Sequence, residues 1–506
     1  MKSTPLSLIA GVVALAAVTG FAALNAPGDP APEVAKAAAR LPVERSSLLC
    51  PAPSSSDLAA TTYMSFTPAG KSAGEAAGAE LKPAAAYSAD EATEPDPKQD
   101  KKVPAKDGKA VLTLKEPGKP VGAETSKPDA PALVGTATGS LAPGWTAQQT
   151  TAVTAGAARG LLGATCTGPG TDFWFPGAST SKARQDYVHL TNPDDSAAVA
   201  DIELYGPDGP LKSDVGDGIT IPARSSVPML ISTLTSEAVE DVAVHVTTRS
   251  GRIGALVRAA DDTAGSDWIA PSADPTGTLV LPGIPADATS VQLVAFAPGE
   301  DDADVKVQLL GKNAAFAPAG NDTLHIKSRM TASIDLRDVT RGEPGSLRLT
   351  PVDAGRATPI VAALRVVRGT KSGREVAFIP ATGPVGVRAS VADNRAKGSV
   401  LSLTAPGATA EVEVTASAGT EGGEQVVKTY TVKGGTTLAV TPPVPSGLKG
   451  SYALTVATKS GGPVHAARTL ALPQGGVEMF TVQTLTDDGG TVAVPTARQD
   501  LSLLDD

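Results

Sequence analysis

The chain has 506 residues, a formal net charge of −10, four histidines and two cysteines. An acidic chain lacks the clustered lysine and arginine that neutralise phosphates, which argues against nucleic acid as a partner. So few cysteines and histidines leave little material for a zinc site, and we expect no cofactor. The length allows roughly three to four domains. Their cores must be aliphatic, because aromatic residues make up only 3% of the chain.

The N-terminal segment predicts export from the cytoplasm. Lys2 precedes an uncharged apolar stretch at 6–24, which is nearly long enough to span a hydrocarbon core of about 30 Å. We predict a signal anchor over residues 1–25, so that the protein is a single-pass membrane protein whose C-terminal part is extracellular. A cleaved signal peptide would instead give a secreted protein, and a buried helix of a cytosolic protein is the third interpretation.

Two features follow the apolar segment. Cys50 and Cys166 lack the C-x-x-C spacing of metal or redox sites, and in an oxidising compartment they would most simply form one disulfide; two unrelated buried thiols are the alternative.

Residues 26–68 are assigned to a spacer and the first strands, including Cys50. Residues 69–132 are rich in Lys, Pro and Ala, and we predict a disordered linker there, since low hydrophobicity and mixed charge do not offset the entropy of ordering.

Three repeats of about 105 residues are recognised after the linker. Each opens with a strand that ends in proline, at 173–176, 279–282 and 377–380. A later strand in each repeat alternates apolar with charged or polar residues, at 199–204, 305–309 and 410–414. Such alternation indicates one packed and one solvated sheet face.

The repeats predict an all-β protein. About seven strands per repeat, separated by Gly, Pro and Asp turns, are typical of an Ig-like or Greek-key β-sandwich. We therefore expect a tandem array of three sandwiches behind the transmembrane anchor, at 133–275 (with Cys166), 276–373 and 374–506.

Candidate functional residues are sparse. Trp174, between two phenylalanines, and the nearby Tyr187 form the richest aromatic group; they either pack within the fold or provide a binding surface for sugar or peptide. Acidic clusters such as 300–304 are interpreted as solvated turns, with a weak calcium site as the alternative. A Gly-x-Ser-x-Gly match at 70–74 lacks the strand and helix that a nucleophile elbow requires. We predict no catalytic residue and no metal ligand.

Several local motifs occur together: Cys50-Pro51, the Arg159-Gly160-Leu161 stretch leading to Cys166, residues 173–177 and residues 190–193. In this combination the chain resembles a family of actinobacterial secreted or membrane-anchored proteins, the domain of unknown function numbered fifty-seven-nineteen. The resemblance implies an envelope location and the disulfide, and it brings no established activity. The long Lys/Pro insertion is a departure from the family.

The functional prediction is a non-catalytic, extracytoplasmic scaffold or binding protein of the cell envelope, anchored in the membrane through its N-terminal helix. The expected partner is an envelope protein. A carbohydrate- or peptidoglycan-binding accessory module is the first alternative, with cell-wall glycan as its ligand. An enzyme of unfamiliar type is the second.

Overall fold

The computed structural model describes residues 39–70, 78–88, 108–156, 158–213, 215–474 and 477–494. In these residues the protein is all-β: the chain forms strands and three single-turn 3-10 helices, at Gly139–Leu141, Ile231–Thr233 and Lys371–Gly373. None of the described helices is long and apolar enough to cross a membrane. The predicted anchor at 1–25 lies outside the described residues.

The chain divides into two units. One contains both chain ends, and its described feature is the pairing of β1 (Ala39–Pro42) with the last described strand, Thr491–Val494. The other extends from Pro42 to Thr491. Its sheets form four pairs, called modules 1 to 4 below, and the two sheets of each module enclose one hydrophobic cluster. This arrangement is consistent with β-sandwich packing.

The strands of modules 1 and 2 follow one another along the chain. Residues 45–165 form β2 (Arg45–Cys50), β3 (Ala59–Phe66), β4 (Gly78–Pro83), β5 (Ala85–Ala86), β6 (Leu112–Leu114), β7 (Val121–Thr125), β8 (Leu133–Thr138), β9 (Thr146–Val153) and β10 (Gly160–Thr165). All of these except β5, which pairs with module 2, belong to module 1. Module 2 contains β11 (Asp172–Ala178), β12 (Tyr187–Thr191), β13 (Ala198–Gly206), β14 (Gly209–Pro210), β15 (Ile219–Ile221), β16 (Ser225–Leu230), β17 (Val242–Ser250), β18 (Gly254–Asp261) and β19 (Gly265–Ile269).

Modules 3 and 4 complete the larger unit. Module 3 contains β20 (Leu279–Ile284), β21 (Ala288–Phe296), β22 (Ala303–Leu310), β23 (Ala315–Phe316), β24 (Thr323–Ile326), β25 (Thr331–Asp335), β26 (Gly345–Pro351), β27 (Val361–Arg368) and β28 (Glu375–Pro380). Module 4 contains β29 (Ala389–Asn394), β30 (Ser399–Ala405), β31 (Ala410–Gly419), β32 (Gly422–Glu424), β33 (Val426–Val432), β34 (Thr436–Val440), β35 (Ser446–Lys449), β36 (Tyr452–Gly461), β37 (His465–Ala471) and β38 (Phe480–Leu485). The final strand, β39, is Thr491–Val494.

The same strand order recurs in all four modules. In module 1 the two sheets run β2-β8-β4-β6 and β10-β9-β3-β7. The corresponding second sheets are β19-β18-β12-β16, β28-β27-β21-β25 and β38-β37-β30-β34. We call β2, β11, β20 and β29 the opening strands, and β10, β19, β28 and β38 the closing strands. The repeated topology makes module 1 a fourth copy of the unit that the sequence shows three times.

The predicted disordered linker at 69–132 is wrong for the described part of that segment, which contributes β4 to β7. These strands are short, and β4 and β6 bury alternate small or aliphatic side chains, Ala79 and Leu81 in one and Leu112 and Leu114 in the other. This pattern supplies enough apolar surface for a sheet although the residues between the buried ones are polar or charged. Residues 71–77 and 89–107 lie outside the described residues.

The predicted domain boundaries also shift. Residues 133–165 belong to module 1 rather than to a sandwich at 133–275, and four modules replace the predicted three. The proline-ending strand at 377–380 is part of β28, which closes module 3, so the boundary between 373 and 374 is wrong. All six residues of β28 are buried and all but Glu375 are apolar, so the strand resembles the apolar opening strand β20. Module 4 opens instead with the more polar β29.

The modules are joined in a closed ring. Each opening strand contacts the penultimate strand of the next module: β2 contacts β18, β11 contacts β27, β20 contacts β37, and β29 contacts β9 of module 1. The closing strands contact one another in the same cyclic order, β10 with β19, β19 with β28, β28 with β38, and β38 with β10. The four closing strands therefore meet at the centre of the ring.

Candidate functional site

The Trp174 side chain lies in the interface between modules 2 and 3. It is 8% exposed and clusters with Tyr205 and Ala243 of module 2 and with Phe296 and Val361 of module 3. Trp174 lies outside the core cluster of module 2, which contains Phe173 and Phe175, and module 3 covers it. Packing is therefore the role that the geometry assigns to Trp174.

One face of the Trp174 indole is covered by His245 of the adjacent strand. The two rings are stacked, with centroids 3.6 Å apart and planes at 7°. His245 is held by two carboxylates, with Nδ1 3.1 Å from Glu203 Oε2 and Nε2 3.4 Å from Asp172. These contacts leave the indole faces no room for a stacked sugar ring.

Tyr187 lies in the other sheet of module 2, on β12, and the structure does not bring it together with Trp174. It is half-buried, and the guanidinium of Arg258 lies 5.1 Å from the centre of its ring. Tyr187 is the only one of the two predicted binding residues with an accessible ring. It stands as a single aromatic side chain rather than as part of an aromatic platform.

A buried histidine that the sequence did not single out as functional lies beside Tyr187. His189 is 5% exposed, packs edge-on against Trp268 at 5.1 Å, and neither ring nitrogen has a partner among the described residues. Burial, with a contribution from the charge of Arg258, holds its pKa well below the usual range. Trp268 also takes part in the apolar contact between modules 1 and 2. His189 is therefore a neutral residue close to a module interface.

The Cys50–Cys166 disulfide is present, and it joins the two sheets of module 1. Cys50 ends β2, while Cys166 follows β10 and donates its backbone N–H to Ala147 O of β9. The cysteines are 116 positions apart in sequence. In the chain-entropy account, closing a loop of this size stabilises the fold by about 4–5 kcal/mol.

The centre of the ring holds a polar cluster, called the junction below. Asp267 of β19 accepts hydrogen bonds from the backbone N–H of Gly163 on β10, at 3.0 Å, and from the hydroxyl of Thr481 on β38, at 2.9 Å. Glu375 of β28 accepts a 2.9 Å hydrogen bond from Arg159 Nε, just before β10. The junction thus contains one residue from each closing strand.

Both junction carboxyl groups are removed from water, since Asp267 and Glu375 are each 1% exposed. Burial raises the pKa of Asp267 well above its usual range, and the negative charge of Glu375 adds to that effect. Burial also raises the pKa of Glu375 to about 7, against the opposing effect of Arg159. The junction leaves no signal in the sequence, because its members lie on strands more than 100 residues apart and share no motif.

The acidic clusters remain separate features. Across the described part of the chain, no group of three or more His, Cys, Asp or Glu residues is arranged to hold a metal ion. In the 300–304 turn, Asp302 Oδ1 accepts the backbone N–H of Ser328 and Asp304 pairs with His325. These carboxylates are engaged in local hydrogen bonds, as expected for a solvated turn.

Comparison with known proteins gives one result. Residues 121–443 match the model of a family of unknown function, DUF5719. The match runs from the beginning of β7 to just beyond β34, so it covers modules 2 and 3 together with parts of modules 1 and 4. A search of curated proteins finds no match.

Proposed function

The chain belongs to DUF5719, a family of unknown function, and we propose that it is a non-catalytic scaffold of the cell envelope that presents a rigid array of β-modules outside the membrane. The observation that carries the proposal is the closed ring. Every module contacts two neighbours through clusters of buried side chains, so its position is fixed from two sides. A ring of this kind keeps surfaces on different modules at constant separation, which is what a scaffold needs.

The interfaces support rigidity because each of them includes buried apolar contacts. Phe480 and Val482 of module 4 pack into the core of module 3, and Met64 and Phe66 of module 1 pack against Ala392 of module 4. Interfaces between domains of one chain are usually more polar and permit motion. Buried aromatic and aliphatic contacts make separation of the modules costly.

The disulfide supports the extracytoplasmic location, since such bonds persist in oxidising compartments and are rare in the cytosol. The membrane anchor depends on residues 1–25 and remains a proposal from the sequence. Both can be tested in intact cells with an epitope at the C-terminus. Surface protease should remove the epitope, and membrane fractions should retain it. An epitope that is protected in intact cells would overturn the location.

The scaffold proposal is tested by identifying what the protein binds. The purified protein is incubated with isolated cell walls, with walls stripped of their secondary polymers, and with a solubilised envelope fraction after chemical cross-linking. We expect cross-linking to a defined envelope protein and no saturable binding to either wall preparation. The same cross-link should form with Tyr187→Ala, because the scaffold proposal assigns no binding role to this half-buried ring.

The carbohydrate-binding alternative predicts the opposite pattern. Saturable binding that is lost on stripping the walls, and weakened by Tyr187→Ala, would make the protein a glycan-binding module and overturn the scaffold proposal. Trp174→Ala is not a useful probe of this question, because Trp174 is buried in the interface between modules 2 and 3.

A further inference from the structure

The junction has a property that the scaffold function does not require. We propose that it is a proton-dependent lock: the ring is held closed while at least one of Asp267 and Glu375 is protonated, and it loosens at its centre when both are ionised. The bound species that controls the closed state is therefore a proton, and the segments that move are the four closing strands.

The junction lies where all four modules meet. Asp267 connects module 2 to module 1 through Gly163 and to module 4 through Thr481. Glu375 connects module 3 to module 1 through Arg159, which also donates a 2.5 Å hydrogen bond to Arg374 O. All four modules are therefore joined through two carboxyl groups. A change in their charge acts on every interface at the centre.

The balance of positive and negative charge around Asp267 and Glu375 also favours a bound proton. Arg159 is the cation bonded to Glu375. Arg368 lies opposite Glu375 on β27, but its guanidinium is paired with Asp287. Arg374 is the residue before Glu375, and its side-chain Nε is buried without a hydrogen-bond partner among the described residues.

No cation makes a described hydrogen bond to Asp267, whose donors are the neutral backbone N–H groups of Gly163 and Trp268 and the hydroxyl of Thr481. Across the sheet Asp267 lies opposite Ala259 on β18. If both carboxyl groups were ionised, two buried negative charges would thus have one hydrogen-bonded arginine, Arg159, among the described residues. In addition, Glu375 Oε2 is buried and has no hydrogen-bond partner among the described residues. An unpaired carboxylate oxygen in a dry site is costly, and a proton removes that cost.

The pKa values give the direction of the pH dependence. In an opened junction both carboxyl groups meet water and ionise near pH 4. In the closed junction burial raises the pKa of Glu375 to about 7 and that of Asp267 well above its usual range. The closed ring therefore binds more protons than the open one. Its extra stability is complete below about pH 4 and is lost as the pH rises through about 7.

Hydrogen exchange of the purified full-length protein tests the lock. Amide exchange of β10 and β38, corrected for the intrinsic pH dependence, is compared at pH 5 and pH 8. We expect protection in these strands to fall by about tenfold or more, since one linked proton changes an opening equilibrium by up to tenfold per pH unit. The module interiors, followed through β17 and β26, should keep their protection. Loss of protection in all strands together would indicate global unfolding and overturn the lock.

Two variants assign the effect to the carboxyl groups. Asp267→Asn and Glu375→Gln remove the charge at nearly constant volume, and each should reduce the pH dependence of exchange in β10 and β38. Asp186→Asn is the matched control, because Asp186 is also buried but pairs with Arg184 inside module 2. It should leave the pH dependence unchanged. An unaltered pH profile in both junction variants, or none in the wild-type protein, would refute the proposal.

Discussion

Trp174 and Tyr187 belong to the richest aromatic group of the sequence, for which packing and a binding surface were both open, and their environments differ. Trp174 contacts His245 and module 3, whereas Tyr187 is half-buried and contacts Arg258. Truncating a buried tryptophan removes its packing and leaves a cavity, which costs about 3–5 kcal/mol. We therefore expect Trp174→Ala to lower the free energy of unfolding by that amount and Tyr187→Ala by much less. Urea unfolding of both variants measures the difference. Equal losses would contradict the assignment of Trp174 to the interface.

His189 predicts a loss of stability in acid. Its pKa is held well below the usual range in the folded protein, whereas the unfolded chain takes up a proton near pH 6.5. The unfolded state therefore binds more protons, and the folded state is destabilised as the pH falls below about 6.5. His189→Leu should remove this component.

The measurement is the difference in unfolding free energy between wild type and His189→Leu at pH 8 and pH 5. Relative to the wild type, the variant should have a higher free energy of unfolding at pH 5 than at pH 8. His325→Leu is the control, because the His325 side chain is exposed and its ion pairs are at the surface. An identical pH response in the wild type and His189→Leu would show that His189 is not a buried neutral residue.

At the scale of the strands, the closing strands approach one another closely enough to require glycine. A Cβ on Gly163 would lie 2.5 Å from Thr481 Oγ1 and 3.0 Å from Thr481 Cβ. The Thr481 side chain cannot avoid it by rotation alone, because its own Cβ is within the contact. Gly163→Ala should therefore separate β10 from β38 and weaken the hydrogen bonds to Asp267.

Gly299→Ala is the matched control for Gly163→Ala, since a Cβ there meets no atom within 4 Å. We expect Gly163→Ala to cost about 1–3 kcal/mol, the range typical of overpacking, and to increase exchange first in the closing strands. Gly299→Ala should change stability by less than about 0.5 kcal/mol. Thermal unfolding and hydrogen exchange measure both effects, and equal behaviour of the two variants would contradict the close approach.

The pattern of apolar and polar residues in the sequence predicts individual strands better than it predicts which strands form one module. The alternating segments at 199–204, 305–309 and 410–414 lie in β13, β22 and β31, which occupy equivalent positions in modules 2, 3 and 4. Local alternation reports which face of a strand is packed. It does not report whether a fully buried strand opens one module or closes the previous one, because the closing strand β28 is as completely buried as the opening strand β20. The strand at 377–380 is misassigned for this reason.

The ring and the junction could not be predicted from local patterns. Asp267 and Glu375 look like ordinary polar residues in sequence, since one precedes a tryptophan and the other an apolar run. Their burial depends on β38, the last strand of module 4, meeting β10 of module 1. The disulfide was predictable because only two cysteines are present, and the pairing then followed from the compartment.

At the scale of the larger unit, ring closure couples the stability of modules that are distant in sequence. Phe480 illustrates the coupling, because it lies on β38 of module 4 but is fully buried in the core cluster of module 3. Phe480→Ala should cost about 3–5 kcal/mol, as expected for a buried phenylalanine. It should also increase hydrogen exchange in β27 and β37 together, since both modules lose the contact.

Phe316→Ala is the matched control, because Phe316 is 49% exposed on β23 of module 3. Its truncation should change the free energy of unfolding by about 0.5 kcal/mol or less. Calorimetry separates coupled from independent modules: a coupled ring unfolds in one transition in the wild type, and Phe480→Ala should lower or split it. If Phe480→Ala destabilised module 4 alone and left β27 protected, the modules would be independent domains and the ring could not act as a rigid scaffold.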